Sequence, residues 1–131
     1  MILDSSFIID VLRGINSDAK RKAEELDKKF QIKAITSVTI MELWSGAMLS
    51  TDQEKEKKKI DELLDSLLVY NFTEREAKKA AEIESGLIKS GEKIEIEGIT
   101  IAATALIRNE KILTKNIKHF EKIKGLSIES Y

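Results

Sequence analysis

The chain has 131 residues, of which 22 are Lys or Arg, 23 are Asp or Glu and 1 is His, with no Cys and no Pro. This length predicts one domain over residues 1–131, and the net charge of −1 excludes a uniformly basic nucleic-acid-binding protein. The missing cysteines exclude disulfides and thiolate zinc sites, so any catalysis is expected to use carboxylates and a hard metal ion. No apolar run approaches the roughly 20 residues of a membrane span, which predicts a cytoplasmic protein with no membrane partner.

The chain alternates short apolar runs with amphipathic segments. Short apolar runs are typical of buried strands, and apolar positions three or four residues apart are typical of helices. Ser, Thr and Asp predict helix starts, and glycine predicts helix ends. We predict five strands in chain order, at Met1–Leu3, Ile32–Thr36, Leu68–Phe72, Lys111–Thr114 and Leu126–Ile128. The predicted helices of the first half run from Ser5 or Ser6 to Gly14, over Asp18–Lys29, from Ser37 or Thr39 to Met48, and onward from the capping-box pair Thr51 and Glu54. In the second half we predict a helix after the capping-box pair Thr73 and Glu76, a helix over Ile99–Ile107 and a helical turn at Ile117–Phe120.

Strands that alternate with helices predict an α/β sandwich with a mostly parallel sheet. In such sheets, ligands bind outside the carboxyl ends of the strands. Asp4 follows the first strand, Glu42 lies early in the helix after the second, and Asn116 lies just past the strand at Lys111–Thr114. Oxygen-bearing side chains at these places can converge on one hard cation, and Mg²⁺ and Mn²⁺ prefer oxygen ligands.

Each of these residues also has a purely structural explanation. Asp4 can cap the first helix, and for Asp4 taken alone this is the stronger explanation. Glu42 follows Thr39 by three residues, as in a capping box, although an unpaired carboxylate among apolar neighbours is costly. Asn116 can cap the turn that begins at Ile117. Capping does not explain why all three residues follow strands.

Ordered groups of short motifs extend over the whole chain. The motifs are Ile2–Ser6 with Ile8–Asp10, Thr36–Leu43 with Gly46, and Ile101–Ala105 with Leu113–Asn116 and His119–Phe120. Each motif is weak alone, but their ordered combination is specific. Together they resemble a PIN domain, and within that family the VapC toxins.

This resemblance implies a PIN-like three-layer α/β/α fold and Mg²⁺- or Mn²⁺-dependent endoribonuclease activity. It also implies an RNA substrate, a VapB-like antitoxin as partner and a homodimer. A bound divalent cation activates water and offsets phosphate charge, and this chemistry requires neither His nor Cys. The resemblance implies that the catalytic and metal-binding residues are Asp4, Glu42 and Asn116, with support from Ser5, Ser6 and Thr114.

Gly98 departs from the family pattern. The family has a metal-binding Asp three residues before the Ile-Ala-Ala segment, and this position is Gly98 here. Glu97 is a possible substitute and Glu95 a more distant one, although the alternation of Ile and Glu over residues 94–97 also fits a solvated edge. A naturally degenerate member, an inactivating change and a helix N-cap at Gly98 are further explanations. We hypothesise that Gly98 weakens metal binding and cleavage.

Basic residues surround Asn116 in the stretch from Arg108 to Lys124. RNA is held chiefly through its phosphates, and Lys111, Lys115 and Lys118 are candidate RNA-binding residues. For each lysine singly, a solvated surface is the simpler explanation. His119, the single histidine, is interpreted as a rim residue. Two alternatives to a ribonuclease toxin stay open, namely an inactive PIN module that binds RNA or an antitoxin, and a DNA-directed PIN nuclease.

Overall fold

A computed structural model describes the whole chain, Met1–Tyr131. Its five strands form one parallel sheet in the order β3-β2-β1-β4-β5. The predicted parallel α/β/α architecture is confirmed. The strands are β1 (Ile2–Leu3), β2 (Ala34–Thr36), β3 (Leu68–Tyr70), β4 (Ile112–Leu113) and β5 (Ile128–Glu129), and the helices are α1 (Ser5–Arg13), α2 (Ser17–Lys28), α3 (Ser37–Met48), α4 (Gln53–Leu64), α5 (Glu74–Lys89), α6 (Ile96–Arg108) and α7 (Ile117–Phe120).

Apolar side chains are buried on both faces of the sheet. Consecutive residues of a strand point to opposite faces. Ile2 and Ile112 pack in one apolar cluster, whereas their neighbours Leu3 and Leu113 pack in another. Each of these side chains is at most 3% exposed. Helices on both faces therefore explain why the strands read as continuous apolar runs without alternation.

Helices α1 and α3 begin at Ser5 and Ser37, as predicted, and in each case the residue just before the helix supplies the cap. Asp4 caps α1, since its carboxylate accepts a hydrogen bond from the Ser5 amide, so neither Ser5 nor Ser6 is the cap. Thr36 caps α3 and accepts a hydrogen bond from the Thr39 amide at 3.1 Å. The capping box predicted between Thr39 and Glu42 is therefore wrong, and the Glu42 carboxylate has no capping role.

The two other capping-box predictions have opposite outcomes. The pair Thr73 and Glu76 forms the predicted box at the start of α5. The capping box predicted for Thr51 and Glu54 is wrong, because Asp52 caps α4. The Asp52 carboxylate accepts a hydrogen bond from the Lys55 amide at 3.3 Å. Neighbouring capping residues compete, and the sequence pattern alone does not decide between them.

The start of α6 changes the interpretation of Gly98. The helix begins at Ile96, earlier than the predicted Ile99, and its N-cap is Glu95. Gly98 therefore lies inside the first turn and is not an N-cap, while Glu95 and Ile96 are exposed, as expected of a solvated edge. The last strand is also shifted, to Ile128–Glu129. None of the helices combines the length and the apolar character that crossing a membrane requires.

Candidate metal and active site

Asp4 lies at the carboxyl end of β1, in the middle of the sheet, and is 6% exposed. Its Oδ1 accepts a hydrogen bond from the Ser5 amide at 2.9 Å. Its Oδ2 accepts from the Ser6 hydroxyl at 2.9 Å and from the Thr114 hydroxyl at 2.7 Å. Thr114 is within reach because it follows β4, which pairs with β1. These bonds fix the carboxylate and leave one acceptor position free on Oδ1.

Glu42 brings a second carboxylate to the same edge of the sheet. Its Oε1 is buried and has no hydrogen-bond partner. Burial raises the pKa of Glu42, and the nearby carboxylates of Glu97 and Asp4 raise this pKa further. A hydrogen bond from Ser5 lowers the pKa of Glu42 and so acts in the opposite direction, but the buried Oε1 has no partner, which is costly. A cation placed between these acids would remove that cost.

Asp4 and Glu42 line one cleft of about 240 Å³, together with Glu97, Asn116 and His119. Glu97 is half-buried, whereas Glu95 is an exposed residue at the same cleft. The backbone N–H of Asn116 donates a hydrogen bond to the Thr114 hydroxyl at 3.0 Å, but the side chain of Asn116 makes no capping hydrogen bond to α7. Asn116 is the N-cap residue of α7, as its structural explanation predicted, but without that hydrogen bond its side chain remains available to the cleft.

These residues fit a hard divalent cation that keeps part of its water shell. No three Asp, Glu or His side chains stand in an arrangement that would ligate one ion together. Mg²⁺ needs only one or two protein carboxylates when waters and substrate phosphate complete its shell. The free position on Asp4 and the unpartnered Glu42 Oε1 meet this need. Asp4 and Glu42 are therefore the residues that would hold the ion.

The imidazole of His119 lies beside Gly98 in this cleft, where a side chain at position 98 would otherwise lie. A Cβ atom at position 98 would lie 2.5 Å from Nε2 and 3.0 Å from Cδ2 of His119, and 3.2 Å from Cγ2 of Ile94. The imidazole therefore occupies the place that a side chain at 98 would take. His119 lines the cleft, in agreement with its interpretation as a rim residue, and it reaches this position because α7 contacts α6.

Comparison with known proteins identifies the family. The PIN domain family model matches residues 1–126. The chain belongs to the PIN-domain family. The ribonuclease VapC2 of Rickettsia felis is 30% identical over 107 residues, which cover 82% of this chain and 80% of that protein. The tRNA(fMet)-specific endonuclease VapC of Salmonella typhimurium is 28% identical over 116 residues, or 86% of this chain and 88% of that protein.

Solved structures agree with this assignment. This PIN domain superposes with a TM-score of 0.90 and 25% identity on the Rickettsia felis VapBC2 complex bound to a DNA fragment from its promoter, over 99% of this chain and 97% of that chain. The DNA-bound VapBC of Salmonella typhimurium also gives a TM-score of 0.90 at 25% identity, over 98% and 96% of the two chains. The predicted relationship to VapC toxins is thus confirmed.

The predicted RNA-binding lysines of this PIN domain have different surroundings. Lys115 forms an ion pair with Asp10 at 3.0 Å, and Lys111 forms one with Glu129 at 3.6 Å. Lys111 also precedes β4, so it lies at the sheet edge opposite to the cleft. Lys118 is exposed on α7 and has no ion pair. Of the three lysines, only Lys118 is thus exposed without an acidic partner.

Asp10 links α1 to the C-terminus of the chain. It is 7% exposed and accepts hydrogen bonds from Asn16 at 3.1 Å, Lys115 at 3.0 Å and Tyr131 at 2.8 Å. The hydrogen bond from Lys115 lowers the pKa of Asp10, although burial acts in the opposite direction. Sequence analysis assigned no role to this network, because its members are far apart in the chain.

An Asp10→Asn variant is expected to lose about 1–3 kcal/mol of unfolding free energy at pH 7, because the buried carboxylate loses the charge that strengthens its hydrogen bonds to Lys115, Tyr131 and Asn16. The lowered pKa means that the carboxylate stabilises the fold above the ordinary value of 3.8 and stops doing so as the pH falls through the folded value. Denaturant unfolding at pH 7 and pH 3 tests this. The difference from the unaltered protein should shrink at pH 3, and an equal loss at both pH values would contradict the prediction. Asp61→Asn, at an exposed position, is the control.

Proposed function

We propose that this PIN domain is a Mg²⁺- or Mn²⁺-dependent endoribonuclease toxin of the VapC type, with activity lowered by Gly98. The observation that carries the proposal is the buried, unpartnered Glu42 Oε1 beside the fixed Asp4 carboxylate. The relatives named as ribonucleases support RNA as the substrate. We place the activity in the cytoplasm.

Three carboxylates of the cleft, and two hydroxyl groups that bind one of them, have roles in this proposal. Asp4 and Glu42 hold the cation, and the bonds from Ser6 and Thr114 keep Asp4 in one orientation. The cation, when bound, supplies positive charge that activates water and offsets the charge of the phosphodiester. We assign the role of proton acceptor for the attacking water to Glu97, a half-buried carboxylate that lines the same cleft.

A VapB-like antitoxin is the partner that we propose. A groove of about 440 Å³ between α1, α3 and α4 is lined by apolar side chains that include Leu12, Leu43 and Ile60. Glu42 lines both this groove and the cleft. A segment in the groove can therefore bring an Arg or Lys to the acids that hold the metal. The similar VapBC complexes support this assignment.

We also propose a homodimer that uses the outer face of α3. Met41 is 62% exposed, Met48 is 52% exposed and Leu49, which follows the helix, is 86% exposed. Contiguous exposed apolar side chains of this kind are typical of protein–protein contacts.

An inactive module that binds RNA or an antitoxin is the second candidate function. The glycine at position 98 and the lack of three ligating side chains around one point favour it. The two candidate functions differ in whether the protein cleaves RNA, whereas both include binding to a partner.

A cleavage assay separates these candidates. The protein is incubated with single-stranded RNA in Mg²⁺, in Mn²⁺ and in EDTA. Cleavage that requires either metal supports the ribonuclease, and RNA binding without cleavage in any metal supports the inactive module. Cleavage that survives EDTA contradicts a metal-dependent mechanism.

A Glu42→Gln variant should lose cleavage and gain stability. In EDTA, removal of a buried charge that faces other carboxylates should raise the unfolding free energy by about 1 kcal/mol. Ligands that bind only the folded state stabilise it, so Mn²⁺ should raise the melting temperature of the unaltered protein and much less that of the variant. Thermal melts with and without Mn²⁺ measure both effects. Glu62→Gln, at an exposed position of α4, should change neither, and a Glu42→Gln protein that Mn²⁺ stabilises normally would contradict the role of Glu42.

A further inference from the structure

We infer that His119 contacts the RNA substrate, donating a hydrogen bond from Nε2 to a phosphate oxygen, and that Gly98 provides the space for this imidazole. The inference rests on the proposed function and adds a substrate-contacting residue to the same cleft. The observation behind it is that Nε2 of His119 lies only 2.5 Å from the point that a Cβ atom at position 98 would occupy.

The backbone of His119 is held by α7, and its ring contacts the neighbouring Phe120 ring. The His119 amide donates to the Asn116 carbonyl at 3.0 Å. The next residue, Phe120, is 1% exposed and packs in an apolar cluster. The rings of His119 and Phe120 meet edge to face, with centroids 5.2 Å apart. Helix α7 therefore fixes the attachment point of the ring, and Nε2 lies beside Gly98, where both residues line the cleft.

Charge in the cleft favours a phosphate contact over a metal contact for His119. The acidic side of the cleft is formed by Asp4, Glu42 and Glu97, and these carboxylates repel a phosphodiester. Asn116 and His119, both at α7, supply hydrogen-bond donors on the other side. His119 does not stand with two carboxylates around a common point, as a shared metal ligand would. The imidazole thus belongs to the wall that receives the phosphate.

Space in the cleft couples Gly98 to His119. A methyl group at position 98 would displace the imidazole, since no Cβ atom tolerates a contact of 2.5 Å. Gly98→Ala adds no charge and no metal ligand. It should therefore act on RNA binding in the same way as the removal of the imidazole.

A double-mutant cycle tests the inference. His119→Ala and Gly98→Ala should each raise KM for RNA about tenfold, and the double variant should resemble either single one, because both changes remove one contact. Mn²⁺ affinity should stay unchanged in all three variants. His119→Gln, which keeps an N–H donor, should recover part of the loss. Gly86→Ala is the matched control, because nothing lies within 4 Å of its added Cβ.

A second readout does not require cleavage. Because the chain has 1 histidine, ¹⁵N-histidine labelling gives the imidazole signals of His119 alone. Addition of a phosphorothioate RNA oligonucleotide in Mg²⁺ should shift the Nε2 signal, and Gly98→Ala should abolish that shift. A signal that does not respond to RNA overturns the inference.

The outcomes separate this inference from the proposed function. Metal-dependent cleavage with an unchanged KM in His119→Ala and Gly98→Ala overturns the inference and leaves the ribonuclease standing. Strictly additive losses in the double variant also overturn it. If no metal supports cleavage, the ribonuclease proposal fails, and the NMR titration alone decides whether His119 contacts RNA.

Discussion

An Asp4→Asn variant is expected to fold normally and to lose about 100-fold or more of its metal-dependent RNA cleavage. The asparagine carbonyl can still accept from the Ser5 amide. Its NH₂ group can donate to the hydroxyls of Ser6 and Thr114, which then act as acceptors. The hydrogen bonds that cap α1 are thus preserved, while the charge that holds the cation is removed.

Three measurements check this expectation. Cleavage rates in Mg²⁺ and Mn²⁺ should fall, Mn²⁺ binding should weaken, and the unfolding free energy should stay within about 1 kcal/mol of the original. Asp61→Asn makes the same chemical change at an exposed position and should leave cleavage unaltered. If Asp4→Asn cleaves RNA at the original rate, Asp4 is a helix cap only and the proposed metal site is wrong.

A Gly98→Asp variant is expected to bind Mn²⁺ about 10- to 100-fold more tightly. It adds a third carboxylate beside Asp4 and Glu42, and a charged ligand contributes at least ~1–3 kcal/mol, by analogy with charge-assisted hydrogen bonds. Cleavage at saturating RNA should increase together with metal affinity. The new side chain must displace the His119 imidazole, so KM for RNA should rise at the same time.

Gly98→Ala separates the two effects of this change. It displaces His119 without adding a carboxylate, so it should raise KM and leave Mn²⁺ affinity unaltered. Mn²⁺ binding by calorimetry and steady-state cleavage provide the comparison. If the unaltered protein already binds Mn²⁺ and cleaves RNA as well as Gly98→Asp, then Gly98 does not weaken this site.

Local patterns predicted most of the fold. The short apolar runs gave the approximate places of the strands, and Gly14 ended α1 in the left-handed conformation as predicted. Helix starts were less predictable, because several adjacent residues can each cap a helix. The pattern at Thr39 suggested a cap there, but Thr36 caps α3 because the helix begins earlier. The pattern at Thr51 suggested a cap there, but Asp52 caps α4 because that helix begins later.

The residue patterns were enough to predict the parallel α/β architecture, and they also led to the proposal of carboxylate chemistry. They indicated Asp4, Glu42 and Asn116 as residues that follow strands, because parallel strands end at one edge of a sheet. Only the tertiary structure decided that His119 fills the space at Gly98 and that Lys115 is paired with Asp10. Periodicity and capping report on neighbours within a few residues. Contacts between α6 and α7, or between α1 and the end of β4, depend on how whole elements pack, and no local pattern contains that information.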